Sequence, residues 1–237
     1  MATDRGDTFS FSELALAGGI GKSAYQHLAG TGLLPGGRGI EDFKRLATIG
    51  AFMASGLPLM TAAGMSKTII EMRFNQSDCE RLSGVSTLLH CSSNSAFGDF
   101  PSVNDYWIHF GLHRQGIRTG QEKLRSDALI EIVDRHYVFI RSELLSTLNP
   151  VLMGQEEASL VGWLEEWGRG AEPRLIHIGL GNVKYRQIYT EAQAARVNAV
   201  GTMTVNISLA IRRALDRLAD HRERPRTRFV AKNKGTA

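Results

Sequence analysis

The chain has 237 residues, 43% hydrophobic and 22% charged, a balance ordinary for a globular protein with a real core; length alone permits one large domain or two small ones. It contains no run of about 18 apolar residues, and its start, MATDRGDTFSF, is acidic and polar where a signal peptide needs a basic and then an apolar stretch, so a cytoplasmic location with no membrane partner is expected. Two cysteines, Cys79 and Cys91, suit a reducing compartment and exclude a disulfide framework.

The net charge of +4 hides where the charge lies. Between Arg212 and Lys234 there are nine Lys or Arg (Arg212, Arg213, Arg217, Arg222, Arg224, Arg226, Arg228, Lys232 and Lys234) against Asp216, Asp220 and Glu223. The rest of the chain is therefore slightly acidic, and the C-terminal segment is either a phosphate-binding stretch or a solvated helix end with a tail.

In chain order, Ser12 is a candidate N-cap for a helix beginning at Glu13, with Leu14, Ala15 and Ala17 inward and Gly18-Gly19 ending it. A second short helix is predicted from Lys22 to Ala29. The Pro35-Gly36-Gly37-Arg38-Gly39 cluster then forces a loop. A third helix starts near Ile40, where Phe43, Leu46, Ala47, Ile49 and Phe52 or Met53 recur at a helical period and Gly56 and Pro58 supply the stop. From Ala62 to Gly120 the periodicity is poor.

Leu129–Val133 and His136–Ile140 flank Asp134-Arg135 as the two strands of a hairpin, although that dipeptide lacks the glycine a two-residue turn prefers. Gln155 to Trp167 is predicted helical, with Ala158, Val161, Leu164 and Trp167 on one face, and Arg174–Leu180 is a candidate third strand. The last element is predicted as one long helix from about Arg186 to His221. Val197, Val200, Thr204, Ile207, Ile211, Ala214 and Leu218 recur along it in steps of three and four, which makes either a homodimer seam or the cover of its own domain. Beyond it Pro225 interrupts any helix, so residues 222–237 are expected to form a mobile basic tail. The expected organisation is α+β: a winged helix-turn-helix at 9–63, a connecting region at 64–126, an α+β domain with a long C-terminal helix at 127–221, and the tail.

One N-terminal constellation carries function. Phe11-Ser12-Glu13-Leu14-Ala15, Gly19-Ile20 and Gly32-Leu33-Leu34-Pro35 follow one another at the intervals seen in regulators of the MerR type, and Phe9 to Leu59 resembles their winged helix-turn-helix domain. Asp42-Phe43-Lys44-Arg45-Leu46, Ile49, Phe52 and Gly56 to Leu59 look like the third helix of that domain and the start of its fourth. The resemblance covers about fifty residues of the 237 and implies a transcription regulator that binds double-stranded DNA, with no catalysis and no cofactor.

This sequence departs from the family pattern at the recognition helix, where arginines and aromatics are replaced. Lys22, Ser23, Gln26 and His27 remain to meet phosphates or base edges, Gln26 being suited to bidentate adenine contact. The wing is short, with Arg38 as its single cation. Lys44, Arg45, dimerisation and the tail residues Arg222, Arg224, Arg226 and Arg228 are then expected to add phosphate contacts. Residues 127–221 serve in oligomerisation or in sensing an effector, small molecule or protein. The alternative is an interaction or scaffold module with a degenerate helix-turn-helix.

Other chemistry has thinner support. His90, Cys91, His109, His113 and Cys79 are metal-binding types, but no pair has the close spacing of a dedicated zinc site, and no metal is expected. Gly179-Leu180-Gly181-Asn182 lacks the third glycine of a dinucleotide fingerprint, Glu165 and Glu166 point about 100° apart on a helix, and Ser126 has no identifiable activating partner.

Overall fold

A computed structural model describes residues 8–71, 114–118, 120–123, 127–141, 159–168 and 183–223. Four N-terminal helices, α1 (Phe11–Gly18), α2 (Lys22–Gly30), α3 (Ile40–Ala54) and α4 (Leu59–Glu71), precede a hairpin of β1 (Leu129–Val133) and β2 (Tyr137–Arg141). Then come β3 (Ser159–Trp163), the single turn α5 (Leu164–Gly168), α6 (Val183–Val197), β4 (Thr202–Asn206) and α7 (Ile207–Glu223). The class is α+β, with one antiparallel sheet in the order β3-β2-β1-β4.

The sheet follows the two-residue alternation of its strands. Ile130, Ile132, Val138, Ile140 and Val205 face one large core, while Val133, Phe139 and Leu160 face a second, smaller one covered by Ala192, Ile188 and Tyr189 of α6. A bulge lets Val138 pair with Gly162 and Phe139 with Leu160, so Val161 is the extra residue and joins the large core. That core is continuous with the N-terminal helices: Leu14, Leu46, Ile49 and Phe52 share it with Ile207, Ile211, Ala214 and Leu218. Helix α7 thus packs against α1 and α3 as well as against the sheet.

Close backbone approach fixes the α1–α3 crossing. A Cβ on Gly18 would lie 2.6 Å from the Leu46 carbonyl oxygen, and one on Gly50 would lie 2.8 Å from that of Gly18. Along α4, the buried Trp167 of α5 donates from its indole N–H to Thr68 Oγ1 at 3.1 Å and covers Gly64. Gly64 is therefore an interior residue of a helix that continues to Glu71, into the stretch whose sequence periodicity is poor.

Four expectations are corrected. The helix predicted from Gln155 is strand β3 at 159–163, and helix follows only from Leu164; residues 155–158 lie outside the described residues. The single long C-terminal helix is two helices with β4 between them. Thr202–Asn206 supplies the β-branched alternation that pairs with β1, and Gly201 precedes it. The stripe consequently does not run as one seam: Val197 and Val200 are 82% and 99% exposed and Thr204 is on a strand, while Ile207, Ile211, Ala214 and Leu218 are buried within the chain, which is the alternative in which the helix covers its own domain. Finally, the link between α2 and α3 contains no strand, so the wing is a loop. The candidate strand at 174–180 and the tail beyond Glu223 lie outside the described residues.

Candidate nucleic-acid interface

Helix α1 starts two residues earlier than predicted because Ser10, not Ser12, is its N-cap. Ser10 Oγ accepts from the Glu13 N–H, and the Glu13 carboxylate accepts from the Ser10 N–H at 2.8 Å, a reciprocal capping box. The helix stops at Gly19, whose φ of 67° is the left-handed conformation that terminates helices and whose N–H returns to the Ala15 carbonyl. Three residues later α2 begins at Lys22, with Gly21 as an N-cap that offers no side chain.

Helix α2 is held from below. Tyr25 and Leu28 are buried, and the Tyr25 hydroxyl donates to Asp42 Oδ2 at 3.3 Å while the Gly36 N–H donates to Asp42 Oδ1 at 3.1 Å. Burial first, and the Asp42 carboxylate second, push the Tyr25 phenol above its ordinary pKa, so it remains a donor at neutral pH. One buried carboxylate on α3 therefore ties down both α2 and the loop that follows it. The upper face of α2 carries Lys22, Ser23, Gln26 and His27, all exposed.

Arg38 joins them from the loop. Its backbone is in the left-handed region at φ 57°, and its carbonyl accepts from the Phe9 N–H at 2.8 Å. The Arg38 guanidinium lies 5.5 Å and the Lys22 ammonium 5.0 Å from the centroid of the Phe11 ring, which packs edge-on against Tyr25. Two cations distant in sequence are thus gathered at one aromatic platform. No local sequence signal marks Phe11 and Asp42 as the residues that place this set, whereas the Ser10-x-x-Glu13 spacing is itself a capping-box signature.

The other predicted phosphate contacts are turned inward. Lys44 is 1% exposed and pairs with Glu41 at 3.2 Å, and Arg45 is 7% exposed and donates to the Leu33 carbonyl at 3.3 Å. Both belong to the wall of α3 that packs in the core, where a short polar run cannot escape burial. Arg222 pairs with Glu13 at 2.6 Å and stacks on Phe9, so it is a clamp on α1 and not the root of a free tail. Burial works against the charge of Glu13, but the Arg222 guanidinium and the Ser10 donors outweigh it and hold the carboxyl below its usual pKa.

The remaining arginines of α7 are used in the same way. Arg217 donates to the Leu16 and Ala17 carbonyls that end α1, and burial together with the nearby Arg213 lowers its pKa. Arg212 forms a buried two-pronged pair with Asp127 at 2.6 and 3.0 Å, and Arg213 donates to the Gly120 carbonyl. Arg224, Arg226 and Arg228 lie outside the described residues, as do Cys79, His90, Cys91, His109, His113, Ser126 and Gly179–Asn182. Among the described residues no three His, Cys, Asp or Glu gather to hold a metal ion, and no helix is long and apolar enough to cross a membrane. No family model, curated protein or solved structure matches the chain.

Proposed function

We propose that the chain binds double-stranded DNA through α2, as a transcription regulator of the MerR type with a loop in place of a full wing. The observation that supports this reading is the division of α2 into two faces. Tyr25 and Leu28 are buried, and Lys22, Ser23, Gln26 and His27 project outward beside Arg38. A helix so presented suits the major groove, with Lys22 and Arg38 on phosphates and Gln26 on a base edge. Two cations give modest affinity, so the working form in this reading is a homodimer on two half-sites, joined by a surface other than the Val197–Leu218 stripe.

The second reading, an interaction module with a degenerate helix-turn-helix, draws on the inward commitment of Lys44, Arg45, Arg212, Arg213, Arg217 and Arg222. Selection from random duplexes with the full chain separates the two. Under the DNA reading an enriched sequence emerges. Replacing both Lys22 and Arg38 with Ala then flattens the dependence of log K on log salt by about 1 to 2, and Gln26→Ala removes about 1–3 kcal/mol of discrimination at one position. Failure to enrich any duplex, or unchanged binding by the folded variants, leaves the interaction module as the reading.

A further inference from the structure

The α3–α4 turn does not close against the sheet. Between Ser55-Gly56-Leu57 and the hairpin end of the sheet lies a groove of about 780 Å³, lined on its apolar side by Leu57, Ile132, Leu164 and Met203. Ligand clefts are commonly about 300–1,000 Å³, with apolar walls and a few placed polar groups. Ser55 and Thr202 add hydroxyls to the lining, and its two charged groups, Asp134 and Arg135, sit on the hairpin tip. Asp134 and Arg135 both occupy the left-handed region, at φ 47° and 55°, a conformation that glycine or asparagine would adopt with less strain.

Asp134 has a structural reason for that conformation. Its N–H donates to the Gly201 carbonyl and its Oδ1 accepts from the Gly201 N–H, each at 2.8 Å, which locks the hairpin tip to the start of β4 and holds the two rims of the groove together. The φ of Arg135 is that of the second central residue of the hairpin turn, closed by the His136 N–H on the Val133 carbonyl at 2.9 Å; its guanidinium, by contrast, makes no ion pair among the described residues, and the residue borders the groove, exposed. Next to it, Val200 is 99% exposed at the rim, an apolar side chain left in water.

We propose that this groove binds a small organic acid, an apolar body lying on Leu57, Ile132, Leu164 and Met203 with its carboxylate paired to the Arg135 guanidinium. Charge complementarity chooses the class. The Asp134 carboxylate is engaged by the Gly201 amide, whereas the guanidinium is the longer-reaching group and presents the two-pronged donor that matches a carboxylate. Because one wall is the turn that ends α3, the acid touches the helical unit and the sheet at once.

The experiment uses the full chain and two probes of equal size and opposite charge, 4-phenylbutyrate and 4-phenylbutylamine, followed by calorimetric titration and by amide chemical shifts. Saturable binding of the acid with shifts at Gly56, Leu57 and Gly201 is expected, with weaker binding of the amine. Arg135→Gln, a surface change that leaves the core intact, should weaken the acid about tenfold and leave the amine unaffected. Met203→Trp, checked for folding by circular dichroism, should abolish acid binding by filling the groove. The proposal is overturned if the acid does not bind, if both folded variants bind it as the parent does, or if the amine binds more tightly than the acid.

Discussion

Helices α2 and α7 both carry clustered basic or polar side chains, and they use them in opposite ways. On α7, Arg212, Arg213, Arg217 and Arg222 each reach back to a carboxylate or a carbonyl of the chain itself. On α2, Lys22, Ser23, Gln26 and His27 stand exposed over a buried Tyr25 and Leu28. The richer charge is thus used in assembly and the poorer one is left facing solvent. Counting cations along a sequence does not tell these uses apart, because the difference lies in whether acidic groups and helix ends elsewhere in the chain come within reach.

The sharpest way to break the comparison is at Arg212. Both members of the Arg212–Asp127 pair are 2% exposed, and Asp127 also accepts from Asn206 at 2.7 Å, so removing the cation strands a buried carboxylate. Arg212→Ala should lower the unfolding free energy by about 3–5 kcal/mol in urea titrations, a loss that no α2 surface substitution approaches. A smaller but still large effect is expected at the α1–α3 crossing. Gly50→Ala places a methyl group 2.8 Å from the Gly18 carbonyl oxygen, and the helices must separate at about 1–3 kcal/mol, read from the denaturation midpoint.

Helix α2 provides the contrasting pair. Tyr25→Phe removes the hydroxyl that donates to the buried Asp42 and should cost about 1 kcal/mol. Ser23→Ala and Gln26→Ala, two residues before Tyr25 and one after it on the exposed face, should change stability by less than about 0.5 kcal/mol. If the exposed substitutions cost as much as Tyr25→Phe, that face is packed in solution and is not free for recognition.

What was legible in the sequence follows the range of the interactions involved. The α2 and α3 spans and the hairpin were readable because glycine stops and apolar periodicity are local signals, and Phe43, Leu46, Ile49 and Phe52 are buried where the period puts them. The split between α6 and α7 was not readable. Val197, Val200 and Thr204 continue the helical spacing of Ile207 and Ile211, and only pairing with β1, some seventy residues away, makes Thr202–Asn206 a strand. The same limit governs the candidate site. Exposure of Gln26 and His27 could be inferred from the burial period of α2, whereas the inward turn of Lys44 and Arg45 depends on α4 and the loop after α2 packing over α3.

The finest test of the comparison is the Glu13–Arg222 clamp, where α7 touches the helix preceding α2. Glu13 is held below the ordinary carboxylate pKa in the folded chain, so the folded state binds its proton less readily than the unfolded state. The contribution is therefore complete above the unfolded value, about 4.3, and is lost as pH falls from there through the lowered folded value. Arg222 is a third exposed, which limits the pair to a few tenths of a kcal/mol up to about 1. Glu13→Gln should destabilise by that amount at neutral pH, and the gap from the parent should narrow as pH is taken below about 4.3 in matched urea titrations. Arg222→Ala should give at least that loss at neutral pH, because it also removes the stacking on Phe9, and the double variant little more than Arg222→Ala alone, since each single change already breaks the pair. Additive losses, or a gap that does not change between neutral pH and pH of about 3, would mean that Arg222 acts through its stacking on Phe9 alone and that α1 is held by packing without the ion pair.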